Sequence, residues 1–292
     1  MSRFNPDHAS PSSYANFADC PMKFWIFRLH PRSNEFRNKG KSIGAVVDQT
    51  LHRFFQRPAD GRTIPSLQAD FDLVWLQERD NIKDWCILPV EEEDCKKDAW
   101  QILQAFFKNF DVSKTPIYIP PLNSNPSRFD LLIKLGLAPD LLVQGWGDRL
   151  DEIDGGYEVI DYKTKSGAEL YEEKNNLQLR MYALLFDEWL KRKNLTGKIT
   201  KVSFLYLTPR GVEKREFNFS DEDKLSTIAQ VKELQSKIKE YWTKYGASPW
   251  PCTCGTCASL LKKMEARADE WAKGVRVAPV QQTLTDTSDI PF

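Results

Sequence analysis

Asp154-Gly155-Gly156 stands between apolar, β-prone runs, and Asp-Gly or Gly-Gly at such a point is the turn chemistry of a β-hairpin. The runs are Phe129 to Leu135, Leu141 to Trp146, Tyr157 to Tyr162 and Val202 to Leu207, each short and apolar. Leu141 to Trp146 and Tyr157 to Tyr162 are the expected arms of the hairpin. Leu177 to Leu190 has the spacing of an amphipathic helix, and a long helix is expected from about Asp221 to Tyr245. Helices interleaved with strands predict an α/β fold, a small mixed sheet flanked by helices.

Upstream, Ser10 to Trp25 opens on Ser and Pro and predicts one packed helix. Lys39 to Phe55 carries Ile43, Val46, Val47, Leu51, Phe54 and Phe55 at helical spacing, so one face should be buried. A loop is expected over Pro58 to Pro65, then helical periodicity over Ser66 to Phe110. The layout read from this is a single domain over residues 1–275, with a helical insertion at 58–125 and a cysteine-rich segment at 246–275. Residues 276–292 are polar and aperiodic and read as a flexible tail with an acidic tip.

The 292 residues are 41% hydrophobic and 28% charged, ordinary values for a soluble globular protein. Lys plus Arg equals Asp plus Glu at 41 each, so any polyanionic partner must be gripped by local patches. Arg28, His30, Arg32, Arg37, Lys39 and Lys41 form one candidate patch and Lys191-Arg192-Lys193 another; both suit solvated surface or helix-end compensation equally well. No apolar run approaches the roughly 18 residues of a membrane span. The N-terminus has no signal-peptide core, so a cytoplasmic location is expected.

Side chains alternate along Tyr157 to Lys163, which places Tyr157, Val159, Asp161 and Lys163 on one face. Asp148, read as the end of the preceding strand, can stand beside Asp161 across the ladder. Hard divalent cations such as magnesium take carboxylate oxygens and substrate phosphate together, and a neighbouring lysine can orient or deprotonate a water. Asp-x-Lys alone is common on solvated strands, and the tripeptide by itself decides little.

Three ordered motifs decide more. Gly145-Trp146-Gly147-Asp148-Arg149, then Asp161-Tyr162-Lys163-Thr164, then Gln178-Leu179-Arg180-Met181-Tyr182 closely resemble the RecB-type branch of the PD-(D/E)XK nucleases. The resemblance implies a restriction-endonuclease-like core and Mg2+- or Mn2+-dependent hydrolysis of DNA, by exonuclease action on ends or single strands in replication, recombination or repair. It implies that Asp148 and Asp161 bind the metal, that the Tyr162 carbonyl adds a ligand, that Lys163 handles the water, and that Gln178 and Tyr182 line the site. The family's earlier motif, Gly-x-x-x-His, is matched by Gly44 to Asp48, so Asp48 is expected as a ligand where the family has histidine. His52, one helical turn on, is the alternative ligand. Should neither reach the metal, the fold would serve as a DNA-binding or recombination scaffold without cleavage.

Cys252, Cys254 and Cys257 crowd three thiolates into six residues, a density that calls for a metal and a fourth ligand. Cys20 resembles the single early cysteine of the iron–sulfur subgroup of this branch, which includes CRISPR adaptation nucleases and nuclease domains of helicase–nuclease complexes. That likeness implies a [4Fe–4S] cluster joining the two ends of the chain. The spacing departs from it, with Cys-x-Cys-x2-Cys here against Cys-x2-Cys-x5-Cys in the subgroup, and four thiolates suit Zn2+ equally. Cys86 and Cys95 read as buried free thiols. The terminal Asp286 to Phe292 resembles the acidic tip of bacterial single-stranded DNA-binding proteins, which implies recruitment of replication or repair proteins through Asp-Ile-Pro-Phe.

Overall fold

The computed structural model describes residues 8–33, 36, 39–80, 87–120, 132–134, 142–144, 147–164 and 177–274. Arg37, Cys86 and the tail 276–292 with its Asp-Ile-Pro-Phe tip lie outside the described residues, as do parts of the runs at 129–135 and 141–146.

Ser10 caps α1 (Pro11–Asp19) by accepting from the Ser13 N–H. Cys20 then adopts an extended backbone, with φ −168° and ψ 129°, before α2 (Pro21–Arg28). The single helix expected over Ser10 to Trp25 is therefore two. Pro21 has no N–H to give and pushes the residue before it out of the helical region, so the break falls at Cys20. α3 (Lys39–Gln56), α4 (Ile64–Asp80) and α5 (Glu92–Asn109) follow, with only single 3-10 turns at Ala59–Gly61 and Pro89–Glu91 in the described stretches between them.

A minor three-stranded ladder joins β1 (His8–Ala9), β2 (Leu132–Lys134) and β3 (Leu142–Gln144) in the order β1-β3-β2. The main sheet is β4 (Arg149–Ile153), β5 (Gly156–Lys163), β6 (Ile199–Thr208) and β7 (Gly211–Asn218), in that order. The hairpin partner of β5 is thus Arg149–Ile153, and not the run Leu141 to Trp146, whose described part belongs to the minor ladder. The reason is length: Gly155, at φ +81°, allows a tight turn that pairs Ile153 with Gly156, so the residues immediately upstream become the partner.

β5 and β6 run parallel, which requires a crossover, and α6 (Leu177–Arg192) supplies it. β6 and β7 close the sheet as an antiparallel pair, so the sheet is mixed. α7 (Asp221–Tyr245) begins at a reciprocal capping box between Ser220 and Asp223. The late segment adds α8 (Cys257–Gly274), a helix not read from the sequence.

Both faces of β5 are covered, and its alternation sorts the core into two layers. Tyr157 and Val159 pack with Tyr14, Phe24 and the α6 residues Leu179, Met181 and Phe186. Ile160 and Tyr162 pack on the opposite side with Val46, Val47, Leu51, Phe54 and Phe106 of α3 and α5. Helices therefore flank a small mixed sheet, as the pattern of elements predicts.

Candidate active site

β5 carries Asp161 and Lys163 to one face at its C-terminal end, where their side chains form an ion pair and Asp161 is buried. The hairpin register pairs Arg149 with Ile160, so Asp148, one residue earlier, arrives alongside Asp161. It precedes β4 and does not end a strand. Its Oδ2 accepts a 2.7 Å hydrogen bond from the Tyr162 N–H. Tyr162 turns its ring to the far layer, edge-on to Phe106 at 6.2 Å, and leaves backbone facing Asp148.

Two glycines set this geometry. A Cβ on Gly147 would lie 2.1 Å from the Phe186 ring, so only glycine lets the chain pass α6 at that height before Asp148. On α3, a Cβ on Gly44 would stand 3.0 Å from Thr164 Oγ1, which lets the helix lie against the end of β5. One turn after Gly44 comes Asp48, and one turn after that His52, whose Nε2 is 2.9 Å from Asp48 Oδ1. Ligand atoms of Asp48, His52 and Asp148 all lie within 4.8 Å of one another. The sequence posed Asp48 and His52 as alternatives; the structure brings both to the same place.

Acid dominates the electrostatics. Burial raises the Asp148 carboxyl well above its usual range, and repulsion from Asp48 and Asp161 adds to this against the pull of Lys163 and the Tyr162 N–H. Burial likewise raises Asp161, with Lys163 opposing and Asp48 reinforcing the shift. Buried Asp48 Oδ1 and His52 Nε2 face each other at 2.9 Å and have no hydrogen-bond partner beyond that contact. A carboxylate oxygen and an imidazole nitrogen turned to each other beside crowded carboxylates fit a divalent cation. Tyr182, one turn beyond Gln178 on α6, accepts a 3.0 Å hydrogen bond from Gln178 Nε2. Burial, then the charges of Asp161 and Asp148, hold its hydroxyl in the protonated form.

Arg149 has a structural part that the motif did not reveal. Fully buried, it donates from Nε to Asp151 Oδ1 at 2.7 Å and lies over Phe55 at 4.2 Å and Phe110 at 5.0 Å. Arg149 and Asp151 share a face of β4, so the Asp-Arg-x-Asp spacing is the signal that could have shown the pair. The arginine ties β4 to α3 and thereby fixes Asp148 relative to Asp48.

Cys20 meets the three late cysteines although it lies 237 residues before Cys257. Sulfur–sulfur distances are 3.8 Å from Cys252 to Cys254, 3.4 Å from Cys254 to Cys257 and 3.5 Å from Cys257 to Cys20. Gly255, at φ +73°, turns the short loop so that the three late thiols face one point. Trp250 stacks on Phe24 at 5.2 Å, holding this loop against the α1–α2 junction where Cys20 sits. Burial pushes the Cys20 thiol up, but hydrogen bonds from Thr253, Lys23 and Cys257 bring it down to about 5. Cys95 is buried and free, as expected.

Part of the basic run binds the protein itself. Arg32 pairs with Asp269 at 2.8 Å and His30 Nε2 lies 3.7 Å from Glu265, both on α8, while Lys191 and Arg192 each lie 3.6 Å from Glu188. None of the described helices is long and apolar enough to cross a membrane.

A family model of the PD-(D/E)XK nuclease superfamily matches residues 8–260. The chain belongs to this superfamily. No curated protein matches it. The PD-(D/E)XK match spans the α1–α2 junction, the acidic site and the late cysteines together. Membership implies nuclease activity, and PD-(D/E)XK nucleases use divalent metal ions of the kind that the Asp48, His52 and Asp148 group fits.

Proposed function

We propose that this protein is a Mg2+- or Mn2+-dependent deoxyribonuclease of the RecB-type branch, acting as an exonuclease on DNA ends or single strands in replication, recombination or repair. The observation that carries the reading is the convergence of Asp148 on the Tyr162 N–H, beside the Asp161–Lys163 pair and opposite Asp48 and His52. In this reading Asp48, Asp148, Asp161 and the Tyr162 carbonyl hold the metal, with His52 as a further ligand. When bound, the divalent ion supplies neutralising charge to the scissile phosphate.

The protein's own groups do the rest. Lys163 Nζ, a cation in its ion pair with Asp161, donates to the attacking water and orients it. The water oxygen bonds to phosphorus as its proton passes to solvent, the ester P–O bond breaks, and the departing oxygen takes a proton from solvent water. The neutral Tyr182 hydroxyl, held by Gln178, donates to a phosphate oxygen and keeps the strand aligned. The layout of one nuclease domain over 1–275, with an insertion at 58–125, a cysteine-rich segment at 246–275 and a tail at 276–292, belongs to the same proposal. So do a cytoplasmic location and recruitment of repair proteins through the terminal Asp-Ile-Pro-Phe. A structural metal on the four cysteines completes it; the family likeness would make that a [4Fe–4S] cluster, and four thiolates equally accept zinc.

End-labelled single- and double-stranded DNA with Mn2+ tests the reading. Asp161→Ala and Lys163→Ala should each cut more slowly by on the order of 10²–10⁴-fold. Unchanged cutting by both variants would end the catalytic assignment. Tight DNA binding by wild-type protein that never cleaves would establish the scaffold alternative, which the substitution of Asp48 for the family histidine leaves open.

A further inference from the structure

The four thiols sit too close together for the cluster that the family likeness implies. In a [4Fe–4S] cluster each thiolate binds a different iron, so two iron–sulfur bonds and an iron–iron edge separate any pair of cysteine sulfurs by roughly 6 Å. Here every such pair fits within 4.8 Å, and three pairs lie at 3.4 to 3.8 Å. One ion with zinc–sulfur bonds of about 2.3 Å in a tetrahedron gives sulfur–sulfur edges of about 3.8 Å.

We infer that Cys20, Cys252, Cys254 and Cys257 hold a single tetrahedral zinc ion in place of an iron–sulfur cluster. Three further features support one small ion. The Cys-x-Cys-x2-Cys loop is shorter than the subgroup's spacing and folds tightly at Gly255, which draws the three late sulfurs to one point. The Thr253 N–H donates to Cys20 Sγ at 3.3 Å and Thr256 Oγ1 lies 3.2 Å from Cys254 Sγ, the outer contacts that orient and stabilise metal-bound thiolates. Lys263 lines the adjoining cavity together with Lys23, which is paired with Asp19, and its positive charge offsets part of the negative charge of four thiolates around a divalent ion. All four positions are filled by protein, which marks a structural site without an open coordination position.

The test uses full-length protein from cells supplied with both iron and zinc, purified without oxygen. About one zinc per chain, no acid-labile sulfide and no brown colour are expected. Replacing the zinc with Co2+ should give tetrahedral ligand-field bands and a sulfur-to-cobalt charge-transfer band. The latter reports sulfur ligation alone and so excludes ions in the acidic site. Cys254→Ser should weaken that band, whereas Cys95→Ser should leave it unchanged. Cys254 is exposed and takes no part in the Trp250–Phe24 stack, so Cys254→Ser is expected to fold. Iron and labile sulfide in comparable amounts, or a folded chain with four metal-free thiols, would overturn the inference.

Discussion

Asp148 Oδ2 accepts from the Tyr162 N–H at 2.7 Å, so the carboxylate proposed to hold the metal is also anchored to the backbone of the strand that carries Asp161. An asparagine there can still accept that hydrogen bond through its amide oxygen. Asp148→Asn should therefore fold, lose Mn2+ affinity by more than about tenfold, and lose cleavage. Because burial and the neighbouring acids disfavour the ionised form of Asp148, the neutral variant should also melt about 2 °C higher in EDTA. Isothermal titration and calorimetry check both; a lower melting temperature with intact metal affinity would contradict the account.

His52 adds a nitrogen to an otherwise oxygen-lined site. Imidazole favours manganese over magnesium more than a carboxylate does. His52→Ala should weaken Mn2+ binding by about tenfold while changing Mg2+ binding little. Equal losses for the two ions would assign His52 only to holding Asp48 in place.

The close passage of Gly147 past Phe186 makes that glycine sensitive to a single methyl group. Gly147→Ala should destabilise by about 1–3 kcal/mol in urea unfolding. Adding Phe186→Leu, which removes the ring that a Cβ would strike, should recover much of the loss; strictly additive damage would show that the clash is not the cause.

Glu91, between α4 and α5, accepts at 2.6 Å from Arg267 on α8 and also takes the Leu88 N–H. The Arg267 hydrogen bond is the main reason its carboxyl titrates below the usual range. A lowered folded value means that this stabilisation is complete above the unfolded carboxylate value of about 4.3 and is lost as pH falls through the lower folded value. Glu91→Gln should accordingly lower stability at pH 7 by about 1 kcal/mol or less and narrow its gap to wild type in strong acid. A gap that widens on acidification would refute the linkage.

The Asp-Gly-Gly turn, the crossover helix and the bounds of α7 were legible because local chemistry dictates them: positive φ, amphipathic spacing and a Ser-x-x-Asp cap. The partner strand of β5 was misplaced because three of the five residues from Arg149 to Ile153 are charged. Arg149 and Asp151 are nonetheless buried, joined by the Nε–Oδ1 hydrogen bond, and a hydropathy pattern cannot register such a pair. The break at Cys20 was hidden in an apolar run, although Pro21 announced it. In the site, Asp148, Asp161 and Lys163 came together as their spacing required. The meeting of Asp48 with His52 and Asp148 depended on how α3 crosses the sheet, a tertiary fact set by Gly44 and Thr164 and written in no single segment.

Cys257 leaves the ribosome 237 residues after Cys20. At ordinary elongation rates of about 5–20 residues per second, that is a delay of more than roughly ten seconds. Asp48, Asp148, Asp161 and Tyr182 are all synthesised within the interval, so every residue of the acidic centre is made before the four thiols can come together. Vectorial synthesis thus assigns the two candidate metal sites an order, with the thiol site acting as a latch on a sheet whose strands are already made.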